Sequence, residues 1–302
     1  MLNGARQFLH DWATYRRNKP FLHDLDEHLA SQAGTVIVHQ MGRAGSMTTV
    51  NTIRGGELNE PVFHTHALNP VKVERRMRRF KNWPIYRTPL NVRVAKRISD
   101  YIKDNGLGDR PWHLVTVFRD PIGRNLSVFF LSIEDFIKDF FRRHQRGDLS
   151  KEEILDVFIS RFKHDHPLRW FDEEIRDVFG IDVFDHPFPM GEGFQIIREE
   201  NVNLLLIKLE SLDQCYQLAF DRFFGRNIND LKNTHITDKD PSYSMYSDFI
   251  RTATFPDAFL DEMYDSRFAR HFYSNAEISR FRDRWGHGKV AQAPDSQTGA
   301  RT

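Results

Sequence analysis

The sequence is short of cysteine, of long apolar runs and of net charge. Only one of its 302 residues is cysteine, Cys215, so no disulfide can form within the chain, and a lone thiol fits a reducing compartment. No apolar run reaches the roughly 18–20 residues that span a bilayer. The charged N-terminus lacks the apolar stretch of a secretory signal. We therefore expect a cytoplasmic protein without a membrane span, whose net charge of +1 leaves any attraction to acidic partners to local patches.

Phenylalanine, in contrast, is abundant, and its 26 rings predict an aromatic core. Short apolar runs alternate with helical patterns, which predicts a three-layer α/β fold with a mostly parallel central sheet flanked by helices. The predicted strands are Thr35–His39, Pro61–His64, His113–Phe118 and Asn203–Glu210. Long helices are predicted from about Gly123 to Phe140 and from Pro256 to Phe272. We expect a single domain over residues 1–286, with an N-terminal helical arm at 1–33 and a disordered tail at 287–302.

The stretch "GTVIVHQMGRAGSMTT" predicts a strand, a tight loop and the start of a helix. Free N–H groups at a helix N-terminus, together with the helix dipole, form an anion site. Gly42 and Gly45 permit close approach of the backbone, and Arg43 can direct two donors onto phosphate oxygens. Hydroxyl donors follow at Ser46, Thr48 and Thr49. A glycine-rich turn that serves packing alone is the alternative. The loop lacks the Gly-Lys pair of ATP-binding loops, which favours a phosphate-like group held without Mg²⁺.

A second motif, "VTVFRDPIGRNLSVFF", places Arg119 at the carboxyl end of a predicted strand. Open α/β sheets bind ligands at that end. Ser127 follows about two helical turns later, so an arginine and a serine could converge on a second phosphate. In the alternative interpretation, Arg119 pairs with Asp120 or with a helix carboxylate, and Ser127 only packs.

Together, the two motifs resemble those of sulfotransferases that use 3′-phosphoadenosine 5′-phosphosulfate (PAPS). In that family a loop [K/R]-x-G-[S/T]-[S/T] binds the 5′-phosphosulfate, and a strand ending R-x-P with a serine eight residues after the arginine binds the 3′-phosphate. Arg43-Ala44-Gly45-Ser46 matches the first motif, and Arg119 with Ser127 matches the second. Met47 departs from the usual hydroxyl residue, whose role would pass to Thr48 or Thr49. "GIDVF", "DKDPSYSMYSDF" and "FYSNAEISRFRDRW" resemble a bacterial branch of capsular polysaccharide synthesis proteins.

This resemblance covers roughly residues 34–285 and implies a P-loop-like fold. It also implies transfer of a sulfuryl group from PAPS to a hydroxyl of an acceptor, a carbohydrate, with 3′,5′-ADP as product. Residues 42–49, Arg119 and Ser127 would bind PAPS, and Arg43 would stabilise the charge that grows on the 5′-phosphate.

The transfer needs a base, and "VFHTHAL" offers His64 and His66 after a predicted strand. The resemblance favours His66, with His64 orienting it or contacting the acceptor; Glu57 and Glu60 are reserve bases. A structural role for either histidine is the alternative. The pair His64/His66 and the run "HDH" at 164–166 also raise the possibility of a metal, but neither has a clear third or fourth ligand, so we expect none.

Two other function classes stay open. A non-catalytic nucleotide- or glycan-binding protein of capsular polysaccharide assembly would need Arg43, Arg119 and Ser127 but not the histidines. An ATP-dependent kinase is disfavoured by the missing Gly-Lys pair. The basic run Lys72–Lys81 is either a solvated helix face or the wall of a cleft for an acidic glycan, and no nucleic-acid module accompanies it.

Overall fold

Five strands form one sheet in the computed structural model, which describes residues 2–56, 58, 60–82, 87–226, 231 and 241–286. The strands are β1 (Thr35–His39), β2 (Val62–Thr65), β3 (Trp112–Phe118), β4 (Phe194–Glu199) and β5 (Val202–Lys208). Their order is β2-β1-β3-β5-β4; the first four run parallel and β4 is antiparallel to β5. The prediction of a mostly parallel central sheet flanked by helices is confirmed.

The middle strands consist of β-branched and leucine side chains that are buried on both faces, as parallel strands require. Every residue of β1 is buried, and so are Leu204, Leu205, Leu206 and Ile207 of β5. The register pairs His39 with Thr65, and Phe118 with Lys208. Because parallel strands end at the same edge, the residues that follow β1, β2, β3 and β5 meet there.

Helices account for most of the remaining described chain. They are α1 (Leu2–Ala30), α2 (Ser46–Gly55), α3 (Pro70–Arg79), α4 (Leu90–Asn105), α5 (Pro121–Leu131), α6 (Phe140–Gln145), α7 (Lys151–Arg161), α8 (His166–Phe171), α9 (Asp177–Phe179), α10 (Leu212–Phe224), α11 (Pro241–Thr252), α12 (Asp257–Tyr264), α13 (Arg267–Phe272) and α14 (Asn275–Gly286). A π-helical turn, Asp172–Arg176, joins α8 to α9. None of the helices among the described residues is both long enough and apolar enough to cross a bilayer.

The chain packs as two compact units. The first, Met1–Arg119 with Asp165–Thr234, contains the sheet together with α1–α4 and α8–α10. The second, Asp120–His164 with His235–Thr302, contains α5–α7 and α11–α14. The single domain over residues 1–286 stays a prediction. The predicted tail at 287–302 lies outside the described residues.

The second unit has the aromatic core that the composition predicts. Phe158 lies between Phe129 and Phe259, with ring centroids 5.2 and 6.0 Å away. At the start of α5, the buried Asp120 accepts hydrogen bonds from Gly123 N (2.9 Å), from the Tyr264 hydroxyl (2.7 Å) and from Trp285 Nε1 (3.1 Å). Asp120 therefore caps a helix and joins distant parts of its unit.

Two predicted helices are wrong in extent. The helix predicted from Gly123 to Phe140 ends at Leu131, where the Ser132 hydroxyl donates to the Val128 carbonyl (3.1 Å). Asp139, in the left-handed region at φ 56°, precedes a separate helix. The helix predicted from Pro256 to Phe272 is divided in two. The Ser266 side chain accepts a hydrogen bond from Ala269 N (3.2 Å) and so begins α13 as an N-cap.

Candidate functional site

The loop between β1 and α2 has a backbone that ordinary residues adopt at a cost. Arg43 and Gly45 both have positive φ, 72° and 75°. A Cβ on Gly45 would also lie 3.0 Å from Leu209 Cδ1, whereas one on Gly42 would meet nothing within 4 Å. Glycine is therefore favoured at position 45, the N-cap of α2. The left-handed arginine is an outlier of the type that concentrates at functional sites.

Gln40, which the sequence did not single out, braces this loop. Its fully buried side chain donates from Nε2 to the Ala44 carbonyl (2.9 Å) and so closes the loop across its width. Its backbone N–H donates to the Thr65 carbonyl (3.3 Å), and its own carbonyl accepts from His66 Nδ1 (2.9 Å). One residue thus joins the loop to the end of β2. The sequence signal that could have identified Gln40 is its position as a polar residue directly after a buried strand.

The predicted hydroxyl donors of the loop differ in placement. Thr49 is fully buried, and its hydroxyl donates to the Gly45 carbonyl (3.2 Å), so it serves the first turn of α2. Ser46 and Thr48 are half-buried, and Met47 is exposed. The geometry favours Ser46 and Thr48 over Thr49 as donors to a ligand.

The two candidate histidines touch each other. The rings of His64 and His66 lie edge to face with centroids 4.5 Å apart. Burial, the neighbouring His66 and the positive charge of Arg54 lower the pKa of His64 from 6.5 to about 3, so its ring is neutral at pH 7. A carbonyl oxygen only accepts, so His66 donates from Nδ1 to Gln40. In the neutral ring this tautomer places the lone pair that a base uses on Nε2.

The segment that follows His66 contacts a buried carboxylate that the sequence did not reveal. Glu174, on the π-helical turn, accepts hydrogen bonds from Leu68 N (2.6 Å) and Asn69 N (2.9 Å), just after His66 in the chain. His39 Nε2 lies 3.5 Å from the same oxygen, and Lys72 Nζ lies 3.4 Å from the other. Burial alone would raise the pKa of Glu174, but His39, the Leu68 amide and Lys72 lower it to about 2.

This carboxylate is therefore charged at neutral pH and anchors the segment that follows His66. Glu174 is distant in sequence from both β1 and β2, and no local motif marks it. Its place on a π-helical turn is a feature often found at functional sites.

Arg119, at the end of β3, reaches the loop. Its Nη1 lies 3.4 Å from the Arg43 carbonyl, and its buried Nε finds no acceptor among the described residues. Ser127 is buried on α5 and belongs to the second unit, whereas Arg119 belongs to the first. Their convergence on a second phosphate stays a prediction.

The remaining candidates are placed as follows. Glu60 is half-buried, and Glu57 lies outside the described residues. His164 donates from Nε2 to the Phe158 carbonyl (2.9 Å) inside the aromatic core, which gives it a structural role. Within the described ranges, no three His, Cys, Asp or Glu side chains cluster as metal ligands would. Burial raises the pKa of the Cys215 thiol to about 11, so it is no nucleophile at neutral pH.

These features define a mixed α/β protein with a tight strand-to-helix loop and a histidine pair at the carboxyl edge of its sheet. The model of one protein family, described as "Putative capsular polysaccharide synthesis protein", matches residues 151–274. The match includes Glu174 but begins after the β1–α2 loop, His64 and His66. No curated protein and no solved structure matches the chain significantly.

Proposed function

We propose that this protein is a PAPS-dependent sulfotransferase with a P-loop-like sheet, acting on a hydroxyl of a carbohydrate in polysaccharide biosynthesis. The observation that carries the proposal is the hydrogen bond between His66 Nδ1 and the Gln40 carbonyl. It fixes a candidate base directly beside the candidate phosphate loop. The match to a capsular polysaccharide synthesis family supports the carbohydrate acceptor.

The residues of the loop fit the phosphosulfate end of PAPS. Gly45 starts a helix whose first N–H groups can face an anion, and Gly42 leaves open space beside the chain. The buried Nε of Arg119 is a donor that an anionic ligand would satisfy. Arg43, Ser46 and Thr48 would complete the set of donors, and Ser127 stays the predicted contact for the 3′-phosphate.

When bound, PAPS supplies the sulfuryl group, and 3′,5′-ADP is the leaving group. The acceptor oxygen forms a bond to sulfur while the bond between sulfur and the 5′-phosphate oxygen breaks. His66 Nε2 takes the proton of the acceptor hydroxyl. Because His64 stays neutral, a positive charge on His66 meets no repulsion from its neighbour. Arg43 and the loop N–H groups stabilise the charge that grows on the 5′-phosphate.

A ligand titration tests the donor site first. We expect 3′,5′-ADP without metal to raise the melting temperature, because a ligand at 100 times its dissociation constant stabilises by about 2.7 kcal/mol. The comparison ligands are 5′-AMP, which lacks the 3′-phosphate, and ATP with Mg²⁺. A response to ATP–Mg²⁺ alone would favour the kinase, and no response to any nucleotide would leave the loop with a packing role.

Turnover then separates the enzyme from a non-catalytic binder. We expect His66→Gln to bind 3′,5′-ADP like the parent protein but to lose about 100-fold or more in sulfuryl transfer, the usual share of a general base. His23→Gln is the matched control, since that histidine is 70% exposed and pairs with Glu27 on α1. Full activity in His66→Gln would refute the assignment of the base.

A further inference from the structure

Helix α3 presents a row of arginines to solvent. Arg75, Arg78 and Arg79 are all exposed and lie three or four residues apart, so they share one face of the helix. Along the helix axis the row spans about 6 Å. Arg76 is half-buried and does not belong to it.

Within the described residues, no acidic side chain neutralises this row. None of its three arginines forms an ion pair with an acidic side chain in the part of the chain that the structure describes. Glu74, the one acidic residue of α3, already pairs with Lys96 (3.3 Å). Exposed arginines elsewhere do have partners, as Arg169 has Glu173 at 2.8 Å.

Helix stability alone does not explain the row. Cations near a helix C-terminus are favourable by about 0.3–1 kcal/mol each, but any side of the last turn would serve. Here the unpaired charges share one face with an exposed apolar side chain, Val71, which is 68% exposed. A shallow cavity of about 370 Å³ lies on this face, lined by Pro70, Val71, Glu74, Arg75 and Arg78. Charge and apolar surface are thus combined, as a sugar ring bearing an acidic group would require.

The helix is also tied to the candidate base. Asn69 caps α3 and donates from Nδ2 to the Glu173 carbonyl (3.0 Å), while its backbone N–H is held by Glu174. Lys72, on the same helix, pairs with Glu173. The helix therefore begins four residues after His66, on a segment that buried contacts hold in place.

We propose that the α3 face, defined as Val71, Arg75, Arg78 and Arg79, binds an acidic polysaccharide, and that this polysaccharide is the acceptor; the second clause rests on the proposed function. The match to a polysaccharide synthesis family favours this class of polyanion. Nucleic acid is disfavoured because α3 carries no aromatic side chain to stack on bases and the net charge of the chain is only +1.

Binding of hyaluronan fragments to the full chain tests the proposal, with neutral dextran and duplex DNA of similar length as comparisons. The test variant removes the three charges of the row: Arg75→Gln, Arg78→Gln and Arg79→Gln. The control variant removes three exposed charges that are ion-paired elsewhere: Arg142→Gln, Arg251→Gln and Arg270→Gln. Both variants lose the same net charge, so a difference between them reports position.

We expect hyaluronan to bind more tightly than DNA and dextran, with an affinity that falls as salt is raised. The test variant should bind hyaluronan about tenfold more weakly, since three surface ion pairs are lost, and the control variant should bind it like the parent. Equal binding of DNA and hyaluronan, or equal losses in the two variants, would overturn the proposal. The response to 3′,5′-ADP should be unchanged in the test variant. If 3′,5′-ADP does not stabilise the parent protein, the sulfotransferase proposal is refuted. The hyaluronan binding data alone then decide whether the α3 face binds an acidic polysaccharide.

Discussion

The charge of Glu174 gives the most quantitative prediction. Its pKa falls from its ordinary 4.5 to about 2 in the folded protein, a difference of about 2.5 units. At 1.36 kcal/mol per unit, the charged carboxylate stabilises the fold by about 3 kcal/mol at neutral pH. Two amide hydrogen bonds and the ion pair with Lys72, set against the cost of burial, are compatible with that magnitude.

The sign of the pH dependence follows from linkage. A carboxyl group with a lowered pKa contributes its full stability above the unfolded value of 4.5 and loses it as pH falls through about 2. We expect Glu174→Gln to unfold about 3 kcal/mol more easily than the parent at pH 7. At pH 3 the gap should have shrunk to about half.

Urea unfolding at several pH values between 3 and 7 measures this gap. Glu173→Gln is the matched control, because that neighbour also pairs with Lys72 but is 24% exposed. Its cost should stay within about 1 kcal/mol. A gap for Glu174→Gln that does not change with pH, or an equal gap for Glu173→Gln, would refute the assignment of a charged, buried Glu174.

Three further predictions concern other sites. Gly45→Ala should cost about 1–2 kcal/mol in urea unfolding, because the new methyl group forces a left-handed alanine against a leucine 3.0 Å away, whereas Gly42→Ala should change stability by less than about 0.5 kcal/mol. Asp120→Asn should cost about 2–4 kcal/mol in the same assay, since one buried carboxylate both caps α5 and accepts from Tyr264; a loss no larger than that of an exposed cap would contradict this role. The His64 ring should titrate near pH 3 by NMR, whereas the unfolded chain takes up that proton near pH 6.5. The free energy of unfolding should therefore fall as pH drops below 6.5, and it should fall less steeply in His64→Gln. A ring midpoint near pH 6.5 would show that burial does not lower the pKa of His64.

The sequence predicted the strands of the sheet well where their apolar character is continuous. β1 was predicted with its observed bounds, and β3 and β5 to within two residues at each end, because buried parallel strands form uninterrupted apolar runs. β4 was missed because its burial does not alternate: Phe194 and Ile197 are buried, whereas the two residues between them are half-buried. Helix ends failed where a serine hydroxyl competes for a backbone carbonyl, as Ser132 does.

The candidate site, too, was predicted only in part. The loop at 42–46 and the His64/His66 pair were found because each is a local pattern of residue types. Gln40 and Glu174 were missed because their roles depend on contacts that only the folded sheet creates: one with the end of β2, the other with the segment after it. Whether the predicted residues bind PAPS stays a prediction.

The pairing of β3 with β5 has a consequence for how the protein is made. β3 leaves the ribosome long before its parallel neighbour, because all of the α5–α9 segment lies between them. Until β5 is synthesised, one edge of an apolar central strand has no partner from its own sheet. Such non-local pairing slows folding and exposes a surface prone to aggregation. A chain truncated before Val202 should therefore contain the β1–α2 loop, His64 and His66 yet need a chaperone to stay in solution.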